Sequence, residues 1–399
     1  MEIGSVYEID PKAVESAKRQ KNNELRMNGI LKYNKKNTVY TASGREAIAL
    51  ALDSLVRDNS CISKKCLMPA YMCDTVFIPF VRMGWELIFY HIDKDMKIQE
   101  EEFRSLIDEH KPGMIFIHPY YGVDTWKEFR PLLAQYQNAG LILMEDVTQS
   151  YYLNTSLNID KGAEKHASCA DYIVGSLRKW YAIPDGGFVT TNRLLYADSV
   201  NREYSFAEKR LEMQIKKWTY LHELNKTKII REKQGEESIL SQSIKDKKEY
   251  LEENKRLENE LDHYTAITGM SDISKRLLLT VDEKEVQMNR NLNYRLLNKE
   301  LQNAQAFRPV FLHCEKDAAP LYFPIYAKDR EGVQMCLKEH DIYAPVLWPI
   351  GSENAECLNT HEKYIYSHLL AIPMDQRYGT DEMERIIEVL DKYDKDFYL

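Results

Sequence analysis

Residues 38–191 are punctuated by short, unbroken apolar runs: Cys66–Pro69, Leu87–Ile92, Met114–His118, Leu141–Glu145, Tyr172–Gly175 and Phe188–Thr191. A strand with one wet face alternates apolar and polar residues. These runs do not alternate, so they read as strands buried on both faces. Helix-length segments separate them, at Asp74–Arg82, Glu100–His110 and Glu128–Asn138. Ahead of them Ser43-Gly44-Arg45 opens a helix whose apolar face is Ala47, Ile48, Leu50, Ala51 and Leu55. The pattern predicts an α/β fold: a three-layer α/β/α unit around a mostly parallel sheet.

The texture then changes. From about 201 to 264 the chain is rich in Lys and Glu, with a single glycine and no proline. Leu211, Ile215, Trp218 and Leu221 recur at helical spacing, as do Tyr250, Leu257, Leu261 and Tyr264. This predicts two charged amphipathic helices joined near Gln234-Gly235, packed on their own domain or serving as a dimer-contacting arm. A long helix is expected over Lys275 to Leu301. Beyond it come strands near Phe307–Leu312, Leu321–Ala327 and Ile342–Leu347, and helices at Glu331–His340 and Thr380–Tyr393. The expected organisation is a large domain over 1–265, carrying the helical insertion at about 201–264. The long connecting helix and a smaller α+β C-terminal domain fill 266–399. With 399 residues, 44% of them hydrophobic, the chain can bury a large core.

Two short stretches carry chemistry. Leu141-Ile142-Leu143-Met144-Glu145-Asp146 is a buried-looking strand ending in two acids, and Ser176-Leu177-Arg178-Lys179 follows a strand and precedes Asp185-Gly186-Gly187. A pyridoxal phosphate (PLP) site needs an amine that links to the cofactor aldehyde and a carboxylate that keeps the pyridine nitrogen protonated. Lys179 sits beside Trp180, Tyr181 and Ile183, bulk that desolvates an amine and makes it nucleophilic; its plainer reading is an ordinary surface lysine. Asp146 falls at the carboxyl end of its strand, where open α/β sheets bind ligands; its plainer reading is a helix cap. Gln149 is either a partner of a ring oxygen or an exposed polar residue. Ser43-Gly44-Arg45 puts free helix amides where a phosphate fits, and Ser176 is placed to add a hydroxyl. Arg45 and Arg178 either assist that phosphate or are simply salt-bridged. Tyr71, in Pro69-Ala70-Tyr71-Met72-Cys73, either stacks on the pyridine ring or is a core tyrosine.

These stretches resemble the DegT/DnrJ/EryC1/StrS family of PLP-dependent aminotransferases, of the fold type I, aspartate aminotransferase superfamily. Ser43-Gly44-Arg45-Glu46-Ala47 resembles the family's Ser-Gly-Thr-Ala-Ala turn. Glu145-Asp146-Val147-Thr148-Gln149-Ser150 resembles its Glu-Asp-Ala-Ala-Gln-Ala. Lys179 to Gly187 keeps its spacing from lysine to Gly-Gly. Met270-Ser271-Asp272 resembles its Arg-Met-Ser-Asp, and Leu370-Ala371-Ile372-Pro373-Met374 its late Leu-Pro-Leu. The resemblance spans about Thr41 to Tyr393. It implies that Asp146 meets the pyridine nitrogen, Gln149 the ring hydroxyl side, and Lys179 the aldehyde. It also implies transfer of an amino group from an amino acid, glutamate or glutamine, to a nucleotide-linked keto-sugar in surface glycan synthesis. Two departures stand out. The family's Ser-Phe-His-x-x-Lys is shortened to Ser-Leu-Arg-Lys. Its Asn-Tyr-Arg, which reaches the neighbouring subunit's phosphate, is replaced by Ile267-Thr268-Gly269. A homodimer is still expected, with 267–271 approaching the neighbour's cofactor. The alternatives are a PLP-dependent amino-acid lyase or decarboxylase, and a non-catalytic scaffold or regulator using the helical arm.

Composition narrows the setting. The net charge of -8 and pI near 5.8 give no basic surface for nucleic acid. The seven cysteines form no CxxC pair, so no metal site or disulfide framework is expected and a reducing cytoplasm suits them. No stretch reaches the roughly 18 apolar residues of a membrane span. The expected partners are therefore small molecules and a second copy of the chain.

Overall fold

A computed structural model describes residues 2–19, 33, 35–59, 63–153, 169–231, 238–263, 266–313 and 318–397, with backbone alone over 224–246. In chain order the first half runs β1 (Ile3–Gly4), α1 (Pro11–Arg19), β2 (Asn37–Thr41), α2 (Gly44–Arg57), β3 (Lys65–Pro69), α3 (Phe77–Arg82), β4 (Glu86–Tyr90), α4 (Glu100–His110), β5 (Met114–Ile117), α5 (Arg130–Asn138), β6 (Ile142–Asp146), β7 (Tyr172–Ser176) and β8 (Gly187–Thr191). The second half runs α6 (Ser205–Arg231), α7 (Ser238–Asp262), α8 (Asp272–Leu278), α9 (Glu283–Leu301), β9 (Phe307–Pro309), β10 (Phe323–Ala327), α10 (Arg330–Glu339), β11 (Ile342–Tyr343), α11 (Thr360–His368), β12 (Leu369–Ile372) and α12 (Thr380–Asp396).

Among the described residues the main sheet has seven strands in the order β2-β8-β7-β6-β5-β3-β4. The pairings of β4, β3, β5, β6 and β7 are parallel, and β8 runs antiparallel to both β7 and β2. The unbroken apolar runs have the expected cause, since both faces of the sheet are covered. Leu67, Ile115, Leu143 and Ile173 point into one core. Their neighbours Met68, Phe116, Met144 and Val174 point into the other, against α2 and α3. Alternate side chains enter opposite cores because successive strand residues face opposite ways. The mostly parallel, helix-flanked sheet predicted from sequence is therefore present.

A second sheet, β12-β10-β9, is antiparallel and packs with α9, α10 and α12 around Phe323, Ile325, Leu370, Leu337 and Ile386. The charged insertion forms the two expected helices, which meet through Met213, Tyr220, Tyr250 and Leu257. Their junction near Gln234-Gly235 lies outside the described residues.

One expectation is corrected. The helix predicted over Lys275 to Leu301 is two helices. α8 ends at Leu278, and α9 starts afresh with Asp282 as its cap, whose carboxylate accepts from the Lys284 and Glu285 amides. A side chain that satisfies free helix amides restarts a helix as readily as it begins one. Among the described residues five elements went unpredicted: β1, α1, β2, α11 and β12. β2, Asn-Thr-Val-Tyr-Thr, is an edge strand with mixed exposure rather than an apolar run. α1 is short and mostly exposed, with Val14 and Ala17 buried.

Candidate active site

The carboxyl ends of β2, β6 and β7 converge on one cavity of about 210 Å³, whose walls include Ser43, Gly44, Arg45, Asp146, Ser176 and Lys179. Residues far apart in sequence meet here because each follows a strand of one sheet at the same end.

Its floor is the start of α2. Ser43 caps that helix: its hydroxyl accepts from the Glu46 amide at 3.3 Å and donates to the Glu46 carboxylate at 2.7 Å. The Ser43 hydroxyl is thus committed to the helix. The anion-attracting groups at this end are the amides of Gly44 and Arg45, which precede the first intrahelical bond. Glu46 is almost fully buried, and that burial raises its pKa to about 7. Glycine at 187 is what lets β8 approach this turn. A Cβ there would lie 2.2 Å from the Ser43 carbonyl carbon and 2.6 Å from the Gly44 nitrogen.

Lys179 ends a short turn of 3-10 helix over Leu177–Lys179. The turn is pinned from both sides: the Leu177 amide donates to Gly186 O at 2.9 Å and Trp180 Nε1 donates to Thr148 O at 2.8 Å. The Lys179 amine joins this cavity to a larger cleft of about 890 Å³, which also reaches Arg210, Arg290 and Tyr322. The Lys179 side chain is exposed to solvent in these openings, although it stands among dense protein and beside the Arg178 guanidinium. Partial desolvation by that protein, aided by the Arg178 guanidinium, lowers the Lys179 pKa to about 8.

Asp146, on the wall of the same cavity, is 3% exposed. One carboxylate oxygen accepts from the Thr148 amide at 2.9 Å and the other lies 3.4 Å from His118 Nδ1. His118 is buried, and neither of its ring nitrogens has a hydrogen-bond partner. Its ring stands 6.0 Å from that of Trp348, which also lines the cavity.

Two predicted residues lie elsewhere. Tyr71 is fully buried behind the cavity, where its hydroxyl meets Tyr121 at 3.1 Å and the Leu347 carbonyl, and its ring packs on Tyr120, Trp348 and Tyr366. Met72 and Cys73 reach the cavity wall in its place. Gln149 is buried too, its side-chain oxygen accepting from the Tyr121 amide at 3.0 Å. The stretch Ile267 to Ser271 is tied within its own chain: Thr268 N donates to Glu46 at 2.9 Å and Ser271 N to Asp185 at 2.8 Å.

The sequence pattern did not single out His118, Trp348, Glu258 or Asp262, all on the cavity wall. His118 ends the run Met-Ile-Phe-Ile-His at the same sheet edge as Asp146, which is a usable signal. Trp348 and the two acids arrive from distant segments and leave none.

These residues fit PLP in most respects. They offer an accessible amine of lowered pKa, a buried carboxylate on the wall of the same cavity, free helix amides for a phosphate, and unpartnered imidazole nitrogens beside the carboxylate. Two carboxylates, Glu258 and Asp262, share the cavity.

The architecture defines the class: the chain has the fold of the fold type I PLP-dependent aminotransferases. Its solved relatives in fold include a DegT/DnrJ/EryC1/StrS aminotransferase from Brucella abortus, with a TM-score of 0.60 at 15% identity over 97% of this chain and 91% of that one. PseC of Helicobacter pylori, an aminotransferase involved in the biosynthesis of pseudoaminic acid, gives 0.65 at 15% identity over 99% and 100%. NtdA of Bacillus subtilis, solved with the cofactor PMP bound, gives 0.59 at 14% identity over 98% and 79%. No family model and no curated protein matches the chain by sequence.

Proposed function

We propose that the chain is a PLP-dependent aminotransferase that moves an amino group from an amino acid, glutamate or glutamine, to a nucleotide-linked keto-sugar in surface glycan synthesis. The observation that carries this reading is the convergence of Lys179 and Asp146 on one cavity floored by the α2 N-terminus. The sequence resemblance and the fold shared with aminotransferases support it.

When bound, PLP supplies an aldehyde that takes up the amino group and a ring that accepts electrons. The chain's own residues do the rest. The Gly44 and Arg45 amides hold the phosphate, with Ser176 beside them. Asp146 keeps the ring nitrogen protonated, and His118 Nδ1 lies 3.4 Å from its other oxygen. Lys179 anchors the cofactor and carries a proton on Nζ. With a pKa of about 8 a useful fraction of its amine is neutral near pH 7. The larger cleft beyond Lys179 is the way in for both substrates. The same reading makes the enzyme a cytoplasmic homodimer. Among the described residues no helix is long and apolar enough to cross a membrane.

The test is a half-reaction. Purified protein is loaded with PLP and mixed with glutamate or glutamine alone, and the visible spectrum is followed. Conversion to a stable pyridoxamine form that a keto-sugar nucleotide reverses is the expected result. Release of carbon dioxide or loss of the donor's side chain would point to a decarboxylase or lyase. Protein that takes up no PLP would point to a scaffold.

A further inference from the structure

The arginines in and beside this cavity are already engaged, and by an element with no part in the catalytic reading. Glu258 on α7 takes Arg178 in a two-point pair, at 2.7 and 2.9 Å, and also pairs with Arg210 on α6. One helical turn later Asp262 pairs with Arg45 at the start of α2. Residues four apart lie on one helix face, so both carboxylates point the same way, into the space beside the Gly44 and Arg45 amides. The three guanidiniums are buried, and the Nε of Arg178 and of Arg210 has no hydrogen-bond partner. Planar bidentate carboxylate binding by arginine is also how arginine binds phosphate.

We propose that Arg45, Arg178 and Arg210 are the charge partners of the incoming phosphate, and that Glu258 and Asp262 occupy them as a built-in substitute until an anion displaces them. Two carboxylates and a phosphate cannot share this cavity without strong repulsion in a poorly hydrated space. Docking of the last turns of α7 and binding of phosphate therefore exclude each other. The proposal deepens the PLP reading by adding α6 and α7 to the phosphate site, and it rests on that reading's assignment of the phosphate to the α2 N-terminus.

The experiment uses the full chain and inorganic phosphate, which has no aldehyde. Hydrogen exchange is followed by mass spectrometry with and without phosphate, and phosphate affinity is measured by calorimetry. Phosphate is expected to speed exchange over residues 256–262 while slowing it at the start of α2. Glu258→Gln with Asp262→Asn is expected to bind phosphate, and PLP, about tenfold more tightly, with pyridoxal lacking a phosphate unchanged. Asp262→Asn alone, at a half-buried side chain, guards against loss of the fold and should shift phosphate affinity the same way. Three results would overturn the proposal: no phosphate binding, slower exchange over 256–262, or equal or weaker phosphate binding by the variants. Displacement of α7 by phosphate with no link between PLP and Lys179 would sink the functional reading and leave this one standing.

Discussion

At the scale of single residues, what could be read from the sequence was whatever stood at the end of a strand. Lys179, Asp146 and Ser176 follow predicted runs, Ser43 to Arg45 open a predicted helix, and the structure gathers them around one cavity. Tyr71 and Gln149 follow such runs as well, yet their side chains turn into the core. A one-dimensional pattern says that a residue leaves a strand, not which way it then points. Glu258 and Asp262 looked like two more charges on a solvated helix, and only tertiary packing gives them their partners. Two predictions belong here. Partial desolvation and the nearby Arg178 guanidinium disfavour the Lys179 ammonium, so its neutral fraction should rise through about pH 8. Acylation by acetic anhydride, followed at Lys179 by mass spectrometry, should be half-maximal there, whereas freely solvated lysines respond at about 10.4. A midpoint near the ordinary lysine value would remove the claim of a desolvated amine. Asp146→Asn should keep PLP but lower the transamination rate at least about tenfold, some 1.4 kcal/mol of barrier, because an amide offers the ring nitrogen no compensating charge. A smaller fall in single-turnover rate would disprove the pyridinium role.

At the scale of elements, the buried strands were the legible part, because a continuous apolar run so short is too brief for a buried helix. The helix split at Leu279–Asp282 was not legible, since the apolar spacing carries on through it and only the Asp282 cap marks the restart. The site itself depends on how closely elements approach. β8 crosses the α2 start at a distance that only a residue without a side chain tolerates, as the 2.2 Å separation from the Ser43 carbonyl carbon shows. The obstruction is main chain on both sides, so it cannot rotate away. Gly187→Ala should therefore cost about 1–3 kcal/mol in urea unfolding. It should also weaken phosphate binding, because the displaced turn carries the Gly44 and Arg45 amides. Unchanged stability together with unchanged phosphate affinity would mean that the two elements part freely and that their contact does not shape the site.

At the scale of the whole molecule, one buried arginine joins the pieces. Arg290 of α9 donates to Tyr7 near the N-terminus at 2.7 Å, to Gln376 near the C-terminus at 2.8 Å, and to the carbonyls of Pro320 and Leu321 at 3.1 and 2.9 Å. Its guanidinium lies 4.7 Å from the centre of the Trp180 ring, the residue next to Lys179. Gln376 in turn donates to the Trp180 carbonyl at 2.6 Å. Both ends of the chain and the small antiparallel sheet are thus tied to the loop that carries the reactive amine. Nothing in the sequence distinguishes this arginine from others on a charged helix. Arg290→Met keeps the length and the apolar stem but removes every donor, leaving buried carbonyls unpaired at about 1–3 kcal/mol each. The expected loss is on the order of 3 kcal/mol or more in urea unfolding. Arg290→Lys should recover only a fraction, since an ammonium cannot span the four acceptors with one planar fork. If the arginine couples the catalytic loop to the rest of the fold, Arg290→Met should also loosen the Trp180 packing that holds this loop, moving the Lys179 acylation midpoint from about pH 8 toward the ordinary lysine value. Destabilisation with no movement of that midpoint would reduce Arg290 to a structural tie that the active site does not feel.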